Sequence, residues 1–436
     1  MLLFGGAPRG ESGTPRSQPC LASPRARPMK DTLQSSWPLF LGIGLIMLGN
    51  GLQGSLLGVR AAMEAFPTSW IGVIMSCFYV GFLVGSAVTP RLLASVGHIR
   101  VFAAWASLAS AAVLVHSLWV EPGAWAAMRF CTGFAYAGMY VVAESWLNDR
   151  VDDDSRGQVL SLYMVVQYGG LAAGQLLLNV ADAAGAHLFI LVSILVSLAL
   201  MPISLSSRPA PLFESAESVP LRELLRITPT GLAGCVTAGA ATGALLGIGP
   251  VYAQSTGFDV RDTSLLMSAA IAGGALLQFP LGRLSDRVWR TDVIIGVGVA
   301  AALVAAAVPF MASSWHLSRV VGFVLLATLL LPLYALVLAL ANDRLRPDQM
   351  VAAGSGLVLA FGVGAALGPV ATTSAMTLVG PDGFFGVLAV LACLLALGGL
   401  TTRRRANQGK VDFLPTPVSS PHTPEERMET EPAELV

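Results

Sequence analysis

Apolar runs of about 20 residues recur along this chain, separated by short polar stretches, and the recurrence narrows the folds open to it. A run of that length crosses the hydrocarbon core of a bilayer as a helix rising 1.5 Å per residue. Twelve such spans are read at 37–59, 70–90, 101–119, 125–147, 157–179, 187–207, 228–253, 264–281, 292–312, 317–341, 353–374 and 384–401. None shows the short alternation of a membrane β-barrel strand. The chain is 54% hydrophobic and 12% charged, about half the charge of an ordinary soluble domain. The expected fold is an all-α membrane protein of twelve transmembrane helices.

Its 46 glycines fall largely within the spans, where small residues let helix backbones approach closely in lipid. Net charge is zero, so no basic field points to nucleic acid. The five cysteines, Cys20, Cys77, Cys131, Cys235 and Cys393, have no metal or redox spacing. Those in the spans are expected to be small core residues. No phosphate-cradling loop, nucleophile–base pair or histidine pair at metal-site spacing occurs, so neither an enzyme, a metal site nor a cofactor is expected.

Lys and Arg set the orientation. With the N-terminus cytoplasmic, 22 of the 26 basic residues fall on the inner side. Only Arg60, Arg129, Arg261 and Arg319 lie toward the outer side. The positive-inside bias thus places both termini in the cytoplasm of a multi-pass membrane protein. Residues 1–36 form a polar leader expected to be disordered, with Met29 a candidate translation start and 1–28 dispensable. Residues 402–436, polar and proline-containing, are expected to form a disordered cytoplasmic tail.

The chain also repeats. "NDRVDDD" (148–154) follows the fourth span and "NDRLRPD" (342–348) the tenth. Arg129 opens the fourth span as Arg319 opens the tenth, and "PRLLASVGHIR" (90–100) aligns with "GRLSDRVWRTD" (282–292). Two pseudo-symmetric six-helix bundles follow, 37–207 and 228–401, joined by a cytoplasmic linker at 208–227. Such repeats mark transporters, with the site between the halves near the midplane.

With "GRLSDR" (282–287) and Arg290 in place, the chain resembles the major facilitator superfamily (MFS), whose cytoplasmic loop motif reads G-x-L-x-D-R-x-G-R. The resemblance covers about 37–401 and implies the MFS fold. It also implies that Gly282, Asp286, Arg287 and Arg290 form a conformational latch, with the aspartate near an adjacent helix N-terminus. Trp289 replaces the motif's second glycine, and Ala94 stands where the first-half copy would have its aspartate. Arg129-x-x-x-Gly133 resembles the family's fourth-helix motif. "VVAESW", "RGQVLSLYMVVQYGGLAAGQLL" and "QFPLGRLSDR" resemble the bacterial YcaD-like branch. Association of some of its members or relatives with riboflavin uptake implies a vitamin-like solute. Gln175 replaces the proline that many drug–proton antiporters carry in the fifth helix, which disfavours multidrug efflux.

The fourth span holds two charges. At about 100° per residue, Arg129, Gly133, Tyr136, Tyr140 and Glu144 fall within an arc of about 80° and span about 22 Å. A stripe of this kind is expected to face the bundle interior rather than lipid. Arg129 either snorkels outward and holds loops or attracts solute at the mouth. Glu144 either pairs with Arg100 or Arg150 or carries a proton. It has no counterpart in the second half, where Leu338 occupies the equivalent position. That favours a task performed once.

Asn50 and Gln53, three apart on the first span, share a face. Gln167, Gln278 and Tyr334 add to Tyr136 and Tyr140 as candidates for the cavity lining. Tyr163, Gln167, Gly170 and Gly174 form one face of the fifth span, and Tyr168, Gln175 and Asn179 another; either could line the cavity. A neutral, aromatic, hydrogen-bonding lining suits a small organic solute. The expected function is secondary transport by alternating access in a monomer, leaning to uptake and to proton coupling. Efflux of organic compounds, and a non-transporting sensor or scaffold, are the alternatives.

Overall fold

The structure, a computed structural model, describes residues 29–150, 156–205, 221–311, 316–345 and 347–411. In the first half, α1 (Met29–Met63), α2 (Thr68–Val96), α3 (His98–Leu118), α4 (Pro122–Arg150), α5 (Arg156–Leu176) and α6 (His187–Ser204) run up and down. A short helix, α7 (Leu221–Ile227), lies between the halves. The second half comprises α8 (Pro229–Gly243), α9 (Gly249–Ser255), α10 (Val260–Arg287), α11 (Arg290–Met311), α12 (His316–Leu330), α13 (Leu333–Asn342), α14 (Pro347–Val379) and α15 (Gly383–Val411). Among the described residues, 11 helices are long and apolar enough to cross a membrane, counting α8–α9 and α12–α13 as one crossing each. The remaining long helix is α4, whose polar stripe lowers its hydropathy.

Helices run beyond several boundaries expected from hydropathy. α1 begins at Met29 inside the expected leader, α15 continues to Val411 inside the expected tail, and α7 occupies the end of the expected linker. Adding a residue to an existing helix gains one backbone hydrogen bond for one residue fixed, so apolarity need not mark the helix end. Residues 1–28, most of the linker and the last 25 residues lie outside the described set.

Two crossings are interrupted, each beside a proline. Between α8 and α9 the chain makes a π-helical turn, Ala244–Ile248, next to Pro250. Between α12 and α13 the helix breaks next to Pro332. Proline lacks an N–H and crowds the preceding turn, which favours such irregularities, although Pro280 and Pro369 lie within continuous helices.

The internal repeat extends to backbone hydrogen bonds. At the end of α1, Phe66 N donates to Ala61 O at 3.0 Å, and at the end of α9 Phe258 N donates to Ala253 O at 3.1 Å. The residue before each phenylalanine has positive φ, 53° at Ala65 and 86° at Gly257. These are left-handed helix caps at equivalent places in the two halves.

Glycine contacts set the packing within each half. A Cβ at Gly133 would lie 1.9 Å from Phe78 O, and one at Gly81 would lie 2.0 Å from Phe130 O, so α2 and α4 touch backbone to backbone. In the second half, a Cβ at Gly364 would lie 1.8 Å from Val236 O, which brings α14 equally close to α8. The outer faces are apolar: Leu276, Phe310 and Leu378 are more than three-quarters exposed at 76%, 86% and 83%. Cys393 is also exposed, unlike the core role expected for it, while Cys235 is buried. Small size lets cysteine occupy either face.

Candidate functional site

α4 turns its stripe inward. Arg129 is 5% exposed and Tyr136 is fully buried, while Tyr140 and Glu144 are partly buried. Arg129 does not snorkel to water. Its guanidinium carbon lies 4.4 Å from the centre of the Phe78 ring. The glycine contact between α2 and α4 brings that ring beneath it. Hydropathy could not reveal this, since the Phe78 contact depends on helix packing.

Along the stripe, aromatic and polar groups follow one another. Tyr136 and Tyr140 have ring centres 6.1 Å apart, and Phe82 of α2 lies 5.9 Å from Tyr140. Asn50 of α1 donates from Nδ2 to the Tyr140 hydroxyl at 3.1 Å. Tyr163 of α5 donates its hydroxyl to Glu144 Oε1 at 3.1 Å, and Gln167 also bonds to that hydroxyl. Arg100, one of two partners considered for Glu144, is exposed and makes no pair with it. The side chain of Arg150, the other, lies outside the described residues.

The two faces of α5 differ in their neighbours. Gly170 and Gly174 pack on the α1 backbone, and Tyr163 faces Glu144. Asn179 donates to Ser264 Oγ of α10 at 2.6 Å. Tyr168 lies within electrostatic range of Tyr334 in the second half. The face carrying Tyr168 and Asn179 therefore looks toward the other half, and sequence periodicity alone could not distinguish the two. Gln175, on that same face, accepts a hydrogen bond from Ser55 Oγ, so this face meets α1 as well.

From the second half, Tyr334 packs its ring 4.3 Å from Phe361 and lies within electrostatic range of Glu144. Among the described residues its hydroxyl is buried without a hydrogen-bond partner, as are the Tyr136 hydroxyl and both amide atoms of Gln53. Gln278 is partly buried on α10 and joins none of these described contacts. The structure thus gathers Asn50, Tyr136, Tyr140, Glu144 and Gln167 around one stripe, with Tyr334 facing it. Tyr163 and Tyr168, one from each candidate face of α5, join them, as do Phe82 and Phe361, which the sequence did not single out.

Contacts between the halves gather toward one end. Gly58 packs on Pro250 and Val251, Gly72 on Thr373 and Pro369, and Gly247 on Met75. The Asn179–Ser264 hydrogen bond lies at the same end, and Leu83 meets Gly362 nearer the middle.

The loop motif lies at the other end. Arg290, the first residue of α11, bonds to Asp343, donates to Ala339 O at 3.3 Å and lies 3.5 Å from Asp286. Asp286 is largely exposed, with 70% of its side chain accessible. Gly282 is partly buried and Arg287 exposed, so Arg290 is the residue that ties the loop to α13.

Comparison with known proteins places these observations in a family. The family model described as Major Facilitator Superfamily matches residues 39–359 and 230–429. The chain is 26% identical over 374 residues to the uncharacterized MFS-type transporter YcaD of Escherichia fergusonii, covering 85% of this chain and 96% of that protein. It is 27% identical over 339 residues to the YcaD protein of Salmonella newport, covering 76% of this chain and 86% of that one. Among solved structures, a mutant of the nucleoside transporter NupG matches with a TM-score of 0.71 at 13% identity, covering 85% of this chain and 99% of that one. A bacterial homolog of the human lysosomal transporter Spinster, inward-facing and unoccupied, matches with a TM-score of 0.66 at 13% identity over 88% of this chain and 99% of that one. The chain belongs to the Major Facilitator Superfamily.

Proposed function

We propose that this chain imports a small organic solute across the bacterial inner membrane by alternating access, with proton movement coupled through Glu144. The observation that carries the reading is the Glu144–Tyr163 hydrogen bond, facing Tyr334 across the halves. A carboxylate in a membrane interior is costly unless it is partnered or used, and it marks proton and solute pathways. Glu144 has a neutral partner here and no equivalent in the second half, as a single coupling group requires. The aromatic and amide lining suits a vitamin-like solute with an apolar body and a few polar groups. In the orientation set by the basic residues, the end where the halves meet is the outer end. The conformation is then one sealed outward, with Glu144 toward the cytoplasm.

Purified full-length protein in proteoliposomes tests this. A panel of labelled small organic solutes is offered with and without an inward proton gradient. At least one solute should accumulate with the gradient and equilibrate when a protonophore is added. Movement of no solute would overturn the transporter reading. Accumulation that persists without the gradient would overturn coupling to protons.

A further inference from the structure

We propose that Arg129, Gln53 and Tyr136 form a buried site for the carboxylate of the transported solute, which makes the chain a carrier of organic anions. The inference rests on the transporter reading and deepens it. It starts from an uncompensated charge. Arg129 is 5% exposed, and two of its three guanidinium nitrogens, Nε and Nη1, have no hydrogen-bond partner among the described residues. The groups acting on it electrostatically are Tyr79, Tyr136 and Cys77, none of them a carboxylate. Stacking on Phe78 offsets part of the loss of water. It leaves the charge itself without a counter-ion among the described residues, and a buried cation without an anion is strongly unfavourable.

The pseudo-symmetric arginine provides a contrast. Arg319, at the start of α12, also has a buried Nε without a hydrogen-bond partner among the described residues, but it shares its neighbourhood with Asp382, since both act on Tyr252. A scaffold role therefore suits Arg319. It does not explain Arg129, which has no such acid among the groups acting on it.

Two further donors lie where α1 meets α4: Tyr136, which acts on Arg129, and Gln53, one turn along α1 from Gly49, which meets the Tyr136 hydroxyl. Gln53 is fully buried, and neither its two amide atoms nor the buried Tyr136 hydroxyl has a hydrogen-bond partner among the described residues. Their heights can be compared because α1 and α4 run in opposite directions. The Tyr136 hydroxyl lies 3.4 Å from where a Cβ on Gly49 would be. Gln53 is one turn farther along α1, about 6 Å, and Arg129 is two turns back along α4 from Tyr136, about 10 Å. Gln53 thus occupies a level between the other two. Guanidinium, amide and phenol together offer N–H and O–H donors and one positive charge, the set that a carboxylate accepts from. Asn50 and Tyr140 bond to each other below this column and separate it from Glu144. The anion would therefore bind at one end of the stripe and the proton at the other.

The test uses full-length protein and four acids, benzoate, nicotinate, lactate and succinate, each beside its uncharged amide. Thermal unfolding in detergent and counterflow in proteoliposomes are measured for wild type, Arg129→Gln and Arg319→Gln. At least one acid should raise the unfolding temperature of wild type and undergo counterflow, while its amide does neither. Arg129→Gln should weaken binding of that acid at least tenfold and unfold no lower than wild type without solute, because it removes an unpaired charge. Arg319→Gln should keep the preference for acid over amide. Counterflow of amides with no acid moved would overturn the anion site and leave the transporter reading intact. Binding of an acid without counterflow of any solute would support the site and overturn the transporter reading. A marked loss of stability in Arg129→Gln, or no acid binding at all, would make Arg129 a structural residue and overturn the site.

Discussion

The Tyr163 hydroxyl donates to Glu144 Oε1 across 3.1 Å, linking α5 to the inner part of the α4 stripe. The bond leaves Glu144 an acceptor toward Tyr163 in either protonation state, so removal of its charge need not break the contact. Glu144→Gln preserves shape and an acceptor oxygen. Accumulation driven by a proton gradient should be abolished, while downhill exchange of solute remains within a fewfold of wild type. Tyr163→Phe removes the donor and should lower the rate of uptake while preserving gradient-driven accumulation. Uptake assays in proteoliposomes with an imposed gradient distinguish these outcomes. Unaltered accumulation in Glu144→Gln would exclude coupling through this residue.

Much of this arrangement is legible in the sequence, for physical reasons. Spans announce themselves by length and apolarity, and the repeat by motifs at equivalent loops. The placement of Arg129, Tyr136, Tyr140 and Glu144 on one face follows from the helical period. What the residues touch does not. The Phe78 ring under Arg129 depends on backbone contact at Gly133, and the neighbours of Tyr163 and Tyr168 depend on the rotation of α5. Helix period fixes which side chains share a face and leaves open where that face points. The π-helical turn after Gly243 had only Pro250 as a local signal.

Ala65 occupies the cap position that glycine occupies at 257, with φ of 53° against 86°. A Cβ in left-handed geometry costs roughly 1–2 kcal/mol. Ala65→Gly should therefore stabilise the protein by up to about 1 kcal/mol, after allowing for the greater freedom of glycine in the unfolded chain. A higher unfolding temperature in detergent is the expected result. A lower one would show that Ala65 makes a packing contact worth more than the cap geometry.

Gly133 tests the α2–α4 contact. A methyl group there would overlap Phe78 O at 1.9 Å, and a main-chain atom cannot move aside alone. Gly133→Ala should separate the helices at a cost of about 1–3 kcal/mol. It should also shift the Phe78 ring away from Arg129. Reduced thermal stability together with weakened solute binding is expected. Full stability would show that the helices slide past each other more freely than their backbone contact implies.

The last prediction concerns the loop between α10 and α11. Arg290 bonds to Ala339 O on α13 and to Asp343, which caps that helix, whereas its contact with Asp286 is longer, at 3.5 Å, and that carboxylate is more exposed, 70% against 48% for Asp343. Exposed ion pairs are worth little, about 0–1 kcal/mol. Two substitutions of the same chemistry should therefore differ in effect. Asp343→Asn should slow cycling more than Asp286→Asn, because it weakens the tie between the loop and α13. Neither residue belongs to the stripe, so solute affinity should change by less than about tenfold, roughly 1.4 kcal/mol. Maximal uptake rate and equilibrium binding, measured on the same preparations, separate the two effects. A larger rate loss in Asp286→Asn would mean that Asp286 gains a stronger partner in another conformation of the cycle. The loop motif would then act through that other state, with the Arg290–Asp343 bond secondary. A change confined to affinity in both variants would instead connect the loop to the solute site and remove the latch reading.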